Sequence, residues 1–283
     1  MLGEAKRRAY HAALAAGLLA AATIACGAAP PDSPAPAGDA PPVSSQDDRV
    51  TWMERSFAKE SGNCDTENDA LSCTRVQFDW VDVTGAPGAG AAAAINGPIQ
   101  EWLQRPVFED DGGTLEQIAA GLQQAHDDLV AEFPDYNLPW YVERNVAVAR
   151  DTAEVFALSL YEEMFTGGAH GIHTLLYRNY RPGTGALIAL DDLLVEGGRG
   201  RLTDVAEAIF REEVEVPPDT PLSEAGFWFD DERFALTDNF LIDADGLLFH
   251  YNEYEIAAYA FGATDLSVPW EAVEPLLRPD APR

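Results

Sequence analysis

The sequence predicts an α+β fold of two lobes, with antiparallel sheets packed against helices. Three observations predict it. Strand-like and helix-like stretches come in blocks rather than in strict alternation, which separates α+β from a parallel α/β sheet. Apolar residues make up 47% of the 283, with six Trp and thirteen Phe, a globular composition. Residues 49–283 are enough for one large domain or two small lobes.

The chain opens with Lys6, Arg7 and Arg8, followed from Ala12 to Ala25 by Ala, Leu, Gly and Ile almost without break. That run is shorter than the roughly 20 apolar residues a membrane span needs, and it fits a secretory signal peptide. Residues 1–25 are read as that signal. Thr23-Ile24-Ala25-Cys26-Gly27 resembles a bacterial lipobox, with Thr23 where Leu is usual and a small Ala25 before the cysteine. On this reading the chain is cut before Cys26, which carries a diacylglycerol. The alternative is ordinary cleavage nearby with Cys26 incidental. Residues 26–48, rich in Pro and Ala, form a tether that cannot bury a core. Both readings place the rest outside the cytoplasm, and the lipobox reading, which leads, places it in the periplasm, attached to the membrane through lipid alone.

An N-terminal lobe is expected over 49–150. A strand covers Arg49 to Phe57. In the next, Val76, Phe78 and Trp80 alternate with Gln77 and Asp79. After Trp80 the phase slips to Val81 and Val83, marking a bulge or an end buried on the other face. A helix follows over Ala91 to Leu103, interrupted at Gly97-Pro98. A longer one starts at Thr114 as N-cap, with Leu115, Ile118, Ala119, Leu122, Ala125, Leu129 and Phe133 on one face, and stops at Pro134.

The C-terminal domain is expected over 151–283. Tyr141 to Ala149, Glu154 to Glu162 and Thr174 to Tyr180 read as successive antiparallel strands. Pro182-Gly183-Thr184-Gly185 turns the chain into a short strand, Ala186 to Leu190, then a helical turn from Asp191. Arg201 to Val214 is an amphipathic helix. Phe234 to Ile242 and Leu247 to Tyr251 make a hairpin about Asp243-Ala244-Asp245-Gly246. Leu266 to Val268 is a last strand and Trp270 to Leu277 a closing helix.

With Cys26 lipidated, Cys64 and Cys73 remain as a pair that an extracytoplasmic compartment lets oxidise. A two-thiol metal site lacks a nearby His or third Cys. His170 and His173 lie in Gly-Gly-Ala-His-Gly-Ile-His. On a strand, residues three apart point to opposite faces, and the glycines argue against a helix, so no metal is assigned there. Asp65, Glu67 and Asp69 resemble the opening of a calcium loop. They lack its Gly at the sixth position and Glu at the twelfth, where Ala70 and Val76 stand. Glu162 and Glu163 are adjacent and would diverge on a strand. No phosphate loop, dinucleotide fingerprint or Gly-x-Ser-x-Gly elbow occurs, and no nucleophile stands beside a base, so no catalytic residue and no cofactor is assigned.

The formal charge is −30, from 18 Lys+Arg against 48 Asp+Glu. Losing residues 1–25 removes Glu4, Lys6, Arg7 and Arg8, which takes it to −32. Such a surface repels nucleic acid and anionic headgroups and steers cationic partners. Solubility in a saline or acidic habitat is the bland alternative.

The stretch from Ala153 to Pro269 resembles the domain of unknown function that forms the C-terminal part of the RsiV-type lysozyme-sensing anti-sigma factor. The resemblance lies in Thr166-Gly167-Gly168-Ala169-His170-Gly171, in Asn179-Tyr180-Arg181-Pro182-Gly183-Thr184-Gly185 with Ile188 to Leu194, and in Phe249-His250-Tyr251-Asn252-Glu253-Tyr254 through Gly262, closing at Val268-Pro269-Trp270. Residues 49–150 are similar, loosely, to the smaller domain that precedes it, also found in the PdaC-type peptidoglycan deacetylase. The resemblance implies a two-lobed extracytoplasmic module that binds rather than catalyses. Only about ten residues precede the apolar run, so no sigma-holding cytoplasmic domain is expected. No catalytic domain like the deacetylase's is expected either. The leading expectation is a non-enzymatic binding module of the envelope, with a basic protein such as lysozyme as partner. Its competitor is a peptidoglycan-directed hydrolase using His170 or His173 with nearby carboxylates.

Overall fold

The computed structural model describes residues 49–62, 64, 73–108 and 113–283; Cys26, the tether and the Asp65–Asp69 loop lie outside them. The fold is α+β, with one five-stranded and one three-stranded sheet. The large sheet runs in the order β1 (Thr51–Gly62), β2 (Cys73–Gly85), β3 (Trp140–Asp151), β4 (Phe156–Phe165), β5 (Ile172–Tyr180). Neighbours are antiparallel except β2 and β3, which are parallel. That pairing escaped the sequence reading. It follows from the crossover through α1 (Ala91–Leu103) and α2 (Leu115–Glu132), which returns the chain in the same direction.

α1 keeps the expected bounds, yet Gly97-Pro98 does not interrupt it, and Pro98 lies inside the helix. Ala94 and Pro98 are both exposed, so the bond that Pro98 cannot donate to the Ala94 carbonyl is one that solvent replaces. α2 starts with a complete capping box. The Thr114 hydroxyl accepts from the Gln117 N–H (3.3 Å), and the Gln117 side chain accepts from the Thr114 N–H (2.8 Å). β1 and β2 pair one to one from Trp52↔Val83 to Gly62↔Cys73, so no bulge stands at Trp80. Val81 and Val83 are instead buried in the same core as Val76 and Phe78. Cys64 and Cys73 form a disulfide, with Cα atoms 5.2 Å apart.

One face of the sheet packs against α1 and α2. Val76, Phe78, Val142, Val146, Phe156, Leu158 and Leu160 meet Ile95, Ile99, Leu103, Ile118 and Leu122 in the first core. Arg144 is buried on this face, 2% exposed. It bonds Glu162 (2.6 Å), the carbonyl of Leu103 (2.7 Å), which ends α1 without a helical partner, and the carbonyl of Arg105 (2.8 Å) just beyond the helix. Arg105 adds a second cation to Glu162 at 3.0 Å.

The second core joins α3 (Leu190–Leu193), α4 (Gly198–Glu213) and α5 (Trp270–Val273) to the sheet β6 (Phe240–Ile242), β7 (Gly246–Tyr251), β8 (Thr264–Pro269). Leu202, Ala206 and Phe210 of α4 form the buried stripe. The strand expected at Ala186 to Leu190 shrinks to one bridge, Tyr180↔Leu187, because the Asp192 carboxylate takes the Ala189 N–H (2.9 Å) and starts α3. β6 is shorter than expected, since Asn239 turns its side chain toward β5. Val155 and Ala157, at the start of β4, also belong to the second core. The large sheet therefore runs through residues 150–151 and feeds both cores.

Asparagine amides join the two cores at the outer edge of β5. Asn252 Oδ1 accepts from the Leu175 N–H (2.7 Å) and Asn239 Oδ1 from the Tyr177 N–H (2.7 Å). Asn239 Nδ2 donates to the carbonyls of Leu175 (2.8 Å) and His250 (3.0 Å). Asn179 reaches the other way, accepting from the Ile242 N–H (2.9 Å) and donating to the Phe240 carbonyl (2.8 Å).

Asn239→Ala leaves buried peptide groups unpaired on both sides of the junction. It is expected to lower the unfolding free energy by about 2–4 kcal/mol, read by urea denaturation. Reducing and alkylating Cys64 and Cys73 is expected to cost about 2–3 kcal/mol, the loop-closure value for so short a ring, and intact mass before and after reduction checks the bond itself.

Candidate functional site

The second face of the large sheet carries the polar chemistry. Cross-strand partners share a face, so register places Glu54, Ser56, Ala58 and Glu60 of β1 beside Arg75, Gln77 and Asp79 of β2. Tyr141, Glu143 and Asn145 of β3, Tyr161 and Glu163 of β4, and His173 of β5 continue it. No helix covers these residues, and all are exposed or half-buried. The second core covers only the far end, at Ala157 and Tyr177.

At the centre lies a hydrogen-bonded cluster. The Tyr141 hydroxyl donates to Glu163 Oε1 (2.8 Å) and the Tyr161 hydroxyl to Glu163 Oε2 (3.1 Å). His173 Nδ1 lies 2.7 Å from the Tyr161 oxygen and 3.8 Å from Glu163 Oε2. With the Tyr161 proton given to Glu163, the Tyr161 oxygen accepts from His173, which requires the proton on Nδ1. Burial, then the Glu163 hydrogen bond and charge, pushes the Tyr141 hydroxyl up to about 12. Burial and the Glu163 charge push Tyr161 up as well. Both hydroxyls therefore stay protonated donors at neutral pH, and neither is an activated nucleophile. Glu143 stands directly across from Glu163. Like charges facing across a ladder are unfavourable, so this pair favours any cation brought to it.

The rim is aromatic. Gly167 and Gly168 turn the chain between β4 and β5, both at φ +100°. A Cβ on Gly167 would sit 2.8 Å from the Tyr136 hydroxyl, so that approach needs glycine. The turn presents His170, whose ring stacks on Tyr259 with centroids 3.7 Å apart and planes at 13°. His170 Nδ1 donates to the Gly171 carbonyl (2.8 Å), and the Tyr254 hydroxyl approaches Nε2 at 3.4 Å. Tyr254 is 52% exposed and held at φ +64°, a conformation that disfavours non-glycine residues.

The sequence had singled out His170 and His173, and the structure separates them, His170 on the rim with Tyr254 and Tyr259 and His173 in the central cluster with Tyr161. His170 is exposed and His173 half-buried. Glu162 and Glu163 diverge as strand geometry demands, Glu162 to the arginines of the first core and Glu163 to the open face. Among the described residues no group of three or more His, Cys, Asp or Glu is placed to hold a metal ion, and no helix is long and apolar enough to cross a membrane. The sequence reading missed Tyr141, Glu143 and Tyr161. Their signal was present in the two-residue period, Tyr141-x-Glu143 on β3 and Tyr161-x-Glu163 on β4.

Residues 191–271 match a family described as protein of unknown function, DUF3298. The fold is similar to a crystal structure of a DUF3298 member from Bacteroides fragilis, with 18% identity, a TM-score of 0.64, and coverage of 81% of this chain and 94% of that one. It is also similar to a DUF3298 family protein from Pseudomonas aeruginosa, with 18% identity, a TM-score of 0.58, and coverage of 82% and 98%. No curated protein matches the chain. The family match covers much of the second core and includes Asn239, Asn252, Tyr254 and Tyr259, while Tyr141, Tyr161, Glu163 and His173 fall outside it.

The raised tyrosine pKa values set a sign for alkaline stability. Tyr141 favours its neutral form more when folded than when unfolded, so its contribution is complete below its ordinary value near 10 and is lost as pH rises through about 12. The expected result is stability that falls between pH 10 and 12. In Tyr141→Phe that fall is smaller, followed by denaturation and by the phenolate absorbance.

Proposed function

We propose that this chain is a non-enzymatic binding module of the bacterial envelope, anchored by lipid on Cys26, which receives a basic protein on the open face of its large sheet. One observation carries the reading. That face presents Glu54, Glu60, Asp79, Glu143 and Glu163, while its one arginine, Arg75, is already held by Glu60 at 2.7 Å. A surface of this sign speeds encounter with a cationic partner and confers salt dependence. The tyrosine and histidine rim adds rings suited to cation–π contact. The resemblance to the RsiV-type sensor suggests lysozyme as the member of this partner class to try first. The protonated tyrosine hydroxyls also weigh against the hydrolase alternative, which needs an activated group beside His173. Nucleic acid is an unsuitable partner for so acidic a chain.

The test is binding of the full chain to lysozyme and to an unrelated cationic protein across a salt series, with a muramyl-substrate assay alongside. Lysozyme binding is expected to outlast the control as salt rises, and to weaken about tenfold in the Glu143→Gln/Glu163→Gln double variant. Equal and fully salt-sensitive binding to both proteins would reduce the reading to bulk charge. Turnover that disappears in His173→Ala with the fold intact would replace it with the hydrolase. Cys26→Ser is expected to move the protein out of the membrane fraction, and retention there would exclude lipid anchoring.

A further inference from the structure

We infer that the cleft at the fork between β2 and β3 is a binding site for a neutral oligosaccharide. The β2–β3 ladder runs from Thr74↔Trp140 to Trp80↔Val146 and stops there, although β2 continues to Gly85 and β3 to Asp151. The strands part, and a cleft of about 610 Å³ opens between them. That volume lies within the roughly 300–1,000 Å³ of small-molecule sites. It is lined by Trp52, Trp80, Glu54, Ser56, Asp79 and Asn145 among others.

The lining chemistry selects the ligand class. A pyranose ring offers C–H hydrogens on its faces and hydroxyls around its rim. An indole supplies a large rigid surface for the faces at low entropic cost. Trp52 is itself held, with its ring 5.6 Å from that of Phe156. Carboxylates, an amide and a hydroxyl accept and donate around the rim, and the bonds to Glu54 and Asp79 are charge-assisted. Arg55 also lines the cleft but is held by Asp82 (3.2 Å), so the two carboxylates disfavour phosphorylated or uronic ligands by repulsion.

An inserted peptide strand fits less well, because the free edge of β2 is already partly closed. Asn96 of α1 accepts from the Val83 N–H (2.9 Å) and donates to the Val83 carbonyl (2.9 Å) and to Asp82 (3.2 Å). Asn145 and Ala147 join this cleft to the Tyr161 cluster along β3, and Glu54 and Asp79 belong both to the cleft and to the acidic face, but the saccharide site is carried by the cleft and its indoles and uses neither Glu143 nor Glu163.

The experiment titrates the full chain with chitotriose, cellotriose and trigalacturonate, read by tryptophan emission and by calorimetry. Saturable binding of a neutral trisaccharide is expected, with the anionic one bound far more weakly. Chitotriose above cellotriose would identify an N-acetylated glycan as the preferred source of the shared chemistry. Glu54→Ala and Asn145→Ala lie on exposed positions and are expected to weaken binding about tenfold each with unchanged circular dichroism. Trp52→Ala is expected to abolish it, and should that variant misfold the two surface variants decide. No saturable binding at millimolar saccharide would overturn the inference. So would equal binding of trigalacturonate, or affinity untouched in both surface variants.

Discussion

The outer edge of β5 is where a sixth strand would pair, and three asparagine side chains occupy that place. A primary amide carries the same donor and acceptor as a peptide group, so it can close a strand edge without extending the sheet. Asn239 and Asn252 reach β5 from the second core, and Asn179 reaches back to β6. The junction holds the two cores in one register. It also fixes where the turn after β7 lies relative to β5, which sets Tyr254 and Tyr259 against His170. The rim of the candidate site thus depends on hydrogen bonds that involve none of the residues that would meet a ligand. The closed edge protects β5 from pairing with other chains as well.

The first core uses the same economy. Asn96 closes β2 at Val83, and Arg144 closes the end of α1 by bonding the Leu103 carbonyl and the Arg105 carbonyl that follows it, while Glu162 balances its charge. Buried ions earn little net stability, and removing one partner alone is costly, about 3–5 kcal/mol. Arg144 and Glu162 therefore act as a positional lock. With Glu162 drawn to the helix side, alternation delivers Glu163 to the open face, where Tyr141 and Tyr161 meet it.

Much of the fold was legible in the residues. The apolar stripe from Leu115 to Phe133 and the cap at Thr114 gave α2 almost to the residue, and alternation gave β2 through β5. The parallel β2–β3 pair was not legible, because strand pairing depends on where a long crossover returns and no local pattern encodes that. Pro98 misled because a proline on an exposed helical face is tolerated where a buried one is not. Of the site, His170 and His173 stood out by their glycine-rich surroundings, and Tyr254 and Tyr259 lay in a stretch that carried the family resemblance. Tyr141 and Tyr161 did not, since a tyrosine in an alternating strand looks like core until register shows which face is covered. The asparagines carry no periodic signal, for an amide that imitates a peptide is recognisable only beside the edge it closes.

Native-state hydrogen exchange at the Leu175 and Tyr177 amides tests the junction most directly. These N–H groups lie on the outer edge of a terminal strand, where the Asn252 and Asn239 side chains bond them. The account predicts that they exchange as slowly as amides between β3 and β4, by global unfolding. Exchange at the rate of an open strand edge would contradict it.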